Sequence, residues 1–329
     1  MGIRDLLAVL GGLSLFLYGM YQMSASLSTV MSRRGRRLLE RLTANRVMGV
    51  LAGCAVTAVL QSSSATTVMV VGLVNAEALT LRQAVWIVMG ANIGTTVTGQ
   101  LTALQAGELA PLAVFAGILL TLCCKKNAVL RSGELLAALG VLFMGMELMS
   151  EALSPLGNVQ EMEQLLAQVE NPLSGILSGT VLAAAVQSSS ASVGILQALA
   201  ESGSMPFFRA VYVLFGINIG TCVTAVLASM GLNRNAQRAA LIHLAFNTVG
   251  MLAFTALCLL TPFVAWVEQM TPENPASQIA NMHTFMNMGT ALLLLPVGGY
   301  LADWAEWMMP EDGQIHIFGQ NVRKQSGKR

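Results

Sequence analysis

The sequence predicts an all-α integral membrane protein made of two inverted-topology repeats, each with a re-entrant helical hairpin and a broken helix. Three observations lead there: a composition poor in charge, matching segments held at one constant offset of 126 residues, and half-length apolar stretches on either side of a repeated Gln-Ser-Ser-Ser.

Hydrophobic residues make up 54% of the 329 residues and charged residues 11%, with a mean hydropathy of +0.64. A soluble globule of this length carries about a quarter charged residues, so the bilayer is the expected solvent. The net charge is +1 and the basic residues fall in short clusters, which argues against a nucleic-acid partner. The cysteines, Cys54, Cys123, Cys124, Cys222 and Cys258, lie in or beside apolar runs without CxxC spacing, as small packing residues do. The first apolar run follows Arg4, continues to Val30 and has no clear cleavage site, so it is expected to stay as a first span.

The repeat is read from motif pairs. Gln61-Ser62-Ser63-Ser64-Ala65 matches Gln187-Ser188-Ser189-Ser190-Ala191, and Asn92-Ile93-Gly94-Thr95 matches Asn218-Ile219-Gly220-Thr221. Thr98 and Thr224, Gly90 and Gly216, Gly53 and Gly179, and Gly19-Met20 and Gly145-Met146 keep the same register. Repeat 1 then covers residues 1–124 and repeat 2 residues 134–260, with a connector at 125–133, a final span in 261–302 and a tail at 303–329.

A crossing helix needs roughly 20 apolar residues at about 1.5 Å each. Full spans are expected near 6–30, 82–104, 109–123, 134–153, 206–229, 237–260 and 279–302. The stretches flanking the first tetrapeptide, Arg46–Leu60 and Ala65–Ala76, reach only about 22 Å and 18 Å against a hydrocarbon core of about 30 Å. Each is a half-span, and the pairs form hairpins at 46–76 and 172–202 that return to the side they left.

Orientation follows from charge in equivalent loops. The segment after the first span carries Arg33, Arg34, Arg36, Arg37, Arg41 and Arg46, whereas residues 154–171 carry no Lys or Arg and hold Glu161, Glu163 and Glu170. The positive-inside rule puts the first in the cytoplasm and the second outside, so the repeats are inverted. Lys125, Lys126 and Arg131 in the connector, and Arg323, Lys324, Lys328 and Arg329 at the end, fit a cytoplasmic side. The expectation is a multi-pass protein of the inner (cytoplasmic) membrane, N-terminus outside and C-terminus inside.

A hairpin tip at membrane depth frees backbone groups that only protein or a water-filled cavity satisfies. The serine hydroxyls and the glutamine amides can hold an anion's oxygens or a cation, and the following helix aims free N–H groups and its positive dipole end at the same point. Gln61, Ser62, Ser63, Ser64, Gln187, Ser188, Ser189 and Ser190 are therefore candidate oxyanion ligands. Gly94 and Gly220 permit a helix break, whose carbonyls with Asn92, Thr95, Thr98, Asn218, Thr221 and Thr224 offer the hard oxygens that suit sodium. Ser and Thr runs also serve as hydrogen-bond glue between membrane helices, but the duplication of the whole constellation favours a site.

A shorter echo, Ala240…His243…Asn247 and Ala280…His283…Asn287, puts His and Asn on one helix face behind the polar site, as supporting residues or a structural pair. Glu147, an acid in the fourth span, is a weaker candidate, and Trp304 and Trp307 read as an interfacial belt.

These paired motifs, with Gly90-Ala91-Asn92-Ile93-Gly94-Thr95, resemble the sodium/phosphate cotransporter family over roughly residues 5–302. The resemblance implies inward movement of inorganic phosphate down the sodium gradient. It also implies that the tetrapeptides and the Asn and Thr residues surround phosphate and sodium. The animal relatives' His-Phe-Asn-type signature is missing after repeat 1, where the chain reads Leu109-Ala110-Pro111-Leu112-Ala113-Val114-Phe115, as in the bacterial branch. Only 27 residues follow Ala302, too few for the regulator-like helical domain of many bacterial members. No cofactor is expected, sodium is the only metal, and the partners are small ions and lipid, with a homodimer compatible. A transporter of another oxyanion such as sulfate, an intramembrane hydrolase using a serine with His243 or His283, and an ion sensor without flux are the competing readings. The absence of a Gly-x-Ser-x-Gly elbow disfavours the hydrolase.

Overall fold

The long apolar runs form helices, and polar tetrapeptides, prolines and Asn caps end them. The computed structural model describes residues 3–42, 45–104, 107–123, 127–153, 171–310, 314–317 and 320–323. The first half contains α1 (Ile3–Leu42), α2 (Arg46–Leu60), α3 (Ser63–Asn75), α4 (Leu81–Thr102), a 3-10 turn (Gly107–Leu109) and α5 (Ala110–Cys123). The second contains α6 (Asn127–Leu153), α7 (Pro172–Val186), α8 (Ser189–Glu201), α9 (Phe207–Gly220), α10 (Cys222–Ser229) and α11 (Arg234–Leu260). Then follow α12 (Phe263–Met270), α13 (Pro275–Leu294), α14 (Gly298–Met308) and an antiparallel pair, β1 (Gln314–Ile317) with β2 (Gln320–Arg323).

Repeat-equivalent positions adopt the same local structure. Asn45 and Asn171 cap α2 and α7, their Oδ1 atoms accepting from Val47 N and Ser174 N at 2.9 and 2.8 Å. Gln61 and Gln187 end those helices in the left-handed region at φ 53° and 54°. Close approaches repeat as well: Gly53 lies against the Ile87 carbonyl as Gly179 does against Val213, and Gly90 against Val50 as Gly216 against Ile176.

Helices α1 and α6, which open the two repeats, pack on each other. Gly12 faces Gly145 and Met149, whereas Gly19 faces Ala138 and Leu142, so the partner residue moves backward as α1 moves forward. The pair is antiparallel, and its contacts are unchanged when the helices exchange roles. A buried cluster of Phe16, Met23, Leu142, Phe143, Met146 and Met149 fills this interface. Two further clusters add to the core, one joining α2, α3, α4 and α11, the other joining α7, α8, α9 and α13.

Several expectations change. The arginine-rich stretch after the first span is part of α1, which runs 40 residues, because Arg, Leu and Glu are good helix formers with no proline among them. The connector at 125–133 is helical from Asn127. Helix α4 passes unbroken through Gly94: a Cβ there would lie 2.5 Å from the Cys54 carbonyl oxygen, so this glycine serves close packing and not a break. In the second half the interruption is a single residue, Thr221. The last span ends at Leu294, not 302, and the chain bends by 82° before α14, where Pro296 lacks a donor and Gly298 abuts the Trp86 ring. The tail at 303–329 contains the end of α14 and the β pair.

By length and composition Ile3–Met23, Ala128–Leu153, Phe207–Ser229 and Arg234–Leu260 suit a bilayer, and the bent pair α13–α14 adds a fifth stretch. The expected spans at 82–104 and 109–123 fall short for different reasons. Helix α4 is long enough at 22 residues but holds buried Asn92, Thr95, Thr96, Thr98 and Thr102, whereas α5 has only 14 residues. Residues 154–170, with Glu161, Glu163 and Glu170, and Lys125, Lys126, Lys324, Lys328 and Arg329 lie outside the described residues.

Candidate functional site

A left-handed glutamine stops each incoming helix, and the next residue, Ser62 or Ser188, is extended and caps the outgoing one. The capping hydroxyls accept from Ala65 N and Ala191 N at 3.1 and 3.2 Å. An accepting hydroxyl keeps its own proton to donate, so this role leaves Ser62 and Ser188 able to serve an anion. The N–H groups of Ser63, Ser64, Ser189 and Ser190 sit in the first turns of α3 and α8, where no carbonyl of the same helix can take them.

The second serines bring the two halves together. Ser63 Oγ and Ser189 Oγ are 3.1 Å apart, both buried, although 126 residues separate them in sequence. Thr95 Oγ1 lies 3.1 Å from the same Ser189 oxygen, and Thr98 Oγ1 donates to Gln61 Oε1 at 2.7 Å. Ser63 and Thr95, one expected oxyanion residue and one expected cation residue of repeat 1, thus meet the tip of repeat 2 in one hydroxyl cluster, while Gln61 and Thr98 pair with each other. Among the described residues, every polar side chain in these hydrogen bonds is uncharged.

The two halves are not identical in exposure. Gln61 is buried with its amide N–H groups directed to the Ala58 carbonyl, whereas Gln187 is exposed. Ser62, Ser64 and Ser188 are half-buried, and Ser190 is buried. Asn92 Nδ2 donates to the Val88 carbonyl at 2.9 Å, while Thr221 and Thr224 turn their hydroxyls to the carbonyls of Asn218 and Thr221.

Asn218 is held from another helix. Its Oδ1 is 3.1 Å from His283 Nε2 and its Nδ2 is 3.2 Å from Met286 Sδ, both partners on α13. Asn287 Nδ2 donates to the His283 carbonyl, and Asn247 Nδ2 to the His243 carbonyl and to Cys222 Sγ. The Nδ1 atoms of both buried histidines have no hydrogen-bond partner among the described residues. Of the histidine-asparagine echo, His283 touches a candidate ligand directly.

Two polar features escaped sequence reasoning. Thr57 Oγ1 donates to Thr66 Oγ1 at 2.9 Å between α2 and α3. Gln197 is fully buried, accepts from Thr102 Oγ1 at 2.6 Å and donates to the carbonyls of Gly99 and Ala276. An amide in the middle of an apolar helix was the available signal. Glu147 is exposed and stands apart from the cluster, lining a cleft of about 400 Å³ with Glu108, Glu151, Glu201 and Glu273.

Paired helix breaks that meet inside an apolar helical body are an architecture of membrane transporters. Comparison with known sequences gives the particular family. The chain matches the Na+/Pi-cotransporter family over residues 15–151 and again over 144–265, and it belongs to that family. YqeW of Bacillus subtilis (strain 168), an uncharacterised protein, is 31% identical over 283 residues, covering 86% of this chain and 91% of the relative. The "Putative inorganic phosphate export protein YjbB" of Escherichia coli (strain K12) is 27% identical over 314 residues, which cover 94% of this chain and 57% of that relative's length. The human "Sodium-dependent phosphate transport protein 2B" is 36% identical over 110 residues, 32% of this chain and 16% of that protein. No solved structure matches the chain.

Proposed function

We propose that the protein is a sodium-coupled inorganic phosphate symporter of the inner membrane that works by alternating access. The observation that carries this reading is the Ser63–Ser189–Thr95 cluster, which joins both tetrapeptides in one buried place without a charged side chain. Phosphate is anionic at neutral pH, and burying an uncompensated anion costs many kcal/mol. Hydroxyls, first-turn N–H groups and two helix dipoles of about half a charge each offset part of that cost. A cation bound beside the anion supplies the rest. Sodium on the oxygens of Asn92, Thr95, Thr98, Asn218, Thr221 and Thr224 does this, with His243, Asn247, His283 and Asn287 behind them.

The antiparallel, role-exchanging contact of α1 and α6 supports inverted repeats, because equivalent helices that run oppositely cross a bilayer in opposite directions. The 15-residue and 13-residue arms of each break support re-entrant hairpins at 46–76 and 172–202. In this reading the arginine-rich end of α1 and the C-terminus are cytoplasmic and the N-terminus is outside. A symporter follows its combined gradients, so an inward sodium gradient drives uptake, and export needs the opposite balance.

Reconstitution into proteoliposomes tests the proposal. Labelled phosphate should accumulate under an inward sodium gradient and stop when potassium replaces sodium; uptake indifferent to sodium rejects the coupling. Competition by sulfate at equal concentration would redirect the reading to a broader oxyanion carrier. The hydrolase alternative is disfavoured because the neighbours of Ser63 and Ser189 in the cluster are hydroxyls, while His283 Nε2 is engaged with Asn218.

A further inference from the structure

Beyond the central site, two arginines converge at the base of the first hairpin. Arg46 opens α2 and Arg82 lies in the first turn of α4, and with Trp86, Tyr300 and Asp303 they line a pocket of about 400 Å³ beside the bend before α14. Arg46 stacks over Trp86 with its guanidinium 5.9 Å from the ring centroid and donates to the Pro296 carbonyl at 3.4 Å. Arg82 donates to Asp303 Oδ1 at 2.9 Å, with the two side chains 67% and 49% exposed. Each guanidinium has five N–H donors. Among the described residues only a minority of them are used.

The internal symmetry provides a control. The counterparts of Arg46 and Arg82 in the second repeat are Pro172 and Phe208, and Arg209, one residue further on, stacks over the Phe208 ring. The hairpin fold therefore does not require a charge at either position. The arginine pair is an addition on one side.

The neighbouring face of α14 has the opposite character. Leu301 and Trp304, with Leu241, Leu244 and Thr248 of α11, line a second groove of about 400 Å³ that is almost wholly apolar. Gly299, Tyr300 and Asp303 face the arginine pocket, so two adjoining sides of one short helix carry a cationic pocket and an apolar groove. Trp304 and Trp307 on α14 are both partly exposed, as side chains at a headgroup boundary are. An anion alone would need the first pocket and not the second. A molecule with a phosphodiester and an acyl chain uses both.

We infer that Arg46 and Arg82 hold the headgroup phosphate of an anionic phospholipid, with an acyl chain in the groove between α11 and α14. The lipid bridges hairpin 1 to the C-terminal helix, and Asp303 competes with it for Arg82. On the orientation proposed above, the site lies in the cytoplasmic leaflet. Binding itself is read on purified protein without flux, so its outcome is independent of the transport reading.

The test is native mass spectrometry of the full chain in detergent micelles titrated with palmitoyl-oleoyl phosphatidylglycerol or phosphatidylcholine. Wild type should retain the anionic lipid preferentially, and the R46Q/R82Q variant should lose about fivefold per arginine removed. Asp303→Asn should tighten binding several-fold, a sign that general destabilisation would not produce. Equal retention of the two lipids, an unchanged R46Q/R82Q variant or weaker binding in Asp303→Asn overturns the site. Displacement of the lipid by equimolar inorganic phosphate or by glycerophosphoglycerol would show a plain anion site and overturn the lipid assignment.

Discussion

Ser189 occupies a different position from its counterpart, because its hydroxyl meets both Ser63 and Thr95 whereas Ser63 meets Ser189. Replacing Ser189 by Ala removes two hydroxyl contacts and leaves two buried groups short of a partner, at a cost of about 1–3 kcal/mol each. Ser63→Ala leaves the Thr95–Ser189 contact intact. Phosphate uptake kinetics should therefore show a larger rise in half-saturation concentration for Ser189→Ala than for Ser63→Ala, by about tenfold. Equal effects would place the anion away from this cluster. The hydroxyl and amide positions expected from sequence were those that the duplication writes twice. Gln197 was not legible because its counterpart is Val71, and Thr102 because its counterpart is Ala228, so symmetry is silent about both. His283 was legible through the local echo, but its reach to Asn218 depends on how α13 packs, which spacing does not specify.

At the scale of elements, the bounds of the first half-helix were readable, since α2 runs Arg46–Leu60 as its apolar stretch does, whereas α3 begins at Ser63, two residues before the expected Ala65, because Ser62 caps it. Gly94 was misread because glycine serves two physical purposes: it permits irregular backbone, and it lets two helices touch. Here the second applies, with the Cys54 carbonyl and the Thr57 side chain against it. Gly220 meets the Thr180 carbonyl in the same way. Gly94→Ala should destabilise the protein by about 1–3 kcal/mol through overpacking, lowering its thermal midpoint in detergent. Had α4 been broken and loose at this point, the substitution would instead have been neutral or stabilising, and that result would reject the packing role. The bend after Leu294 was hidden for a related reason: Pro296 lies in an apolar run that hydropathy alone continues to residue 302.

On the scale of the whole molecule, antiparallel α1 and α6 and facing Ser63 and Ser189 are what an approximate two-fold relation between the halves would produce. The difference between buried Gln61 and exposed Gln187 breaks it. On the alternating-access reading proposed above, two halves of one sequence pattern in two environments are one member of a pair of conformations. Exchanging the environments between the halves generates the other member, with Gln187 taking the covered position and Gln61 becoming open. Single cysteines at these two sites should then label in opposite senses: sodium and phosphate that drive the exchange should protect Gln187→Cys and expose Gln61→Cys to a water-soluble maleimide. Parallel changes at both sites would mean that the halves move together. On that reading, a duplicated chain of this kind stores the coordinates of its second state in the first, written in the other repeat.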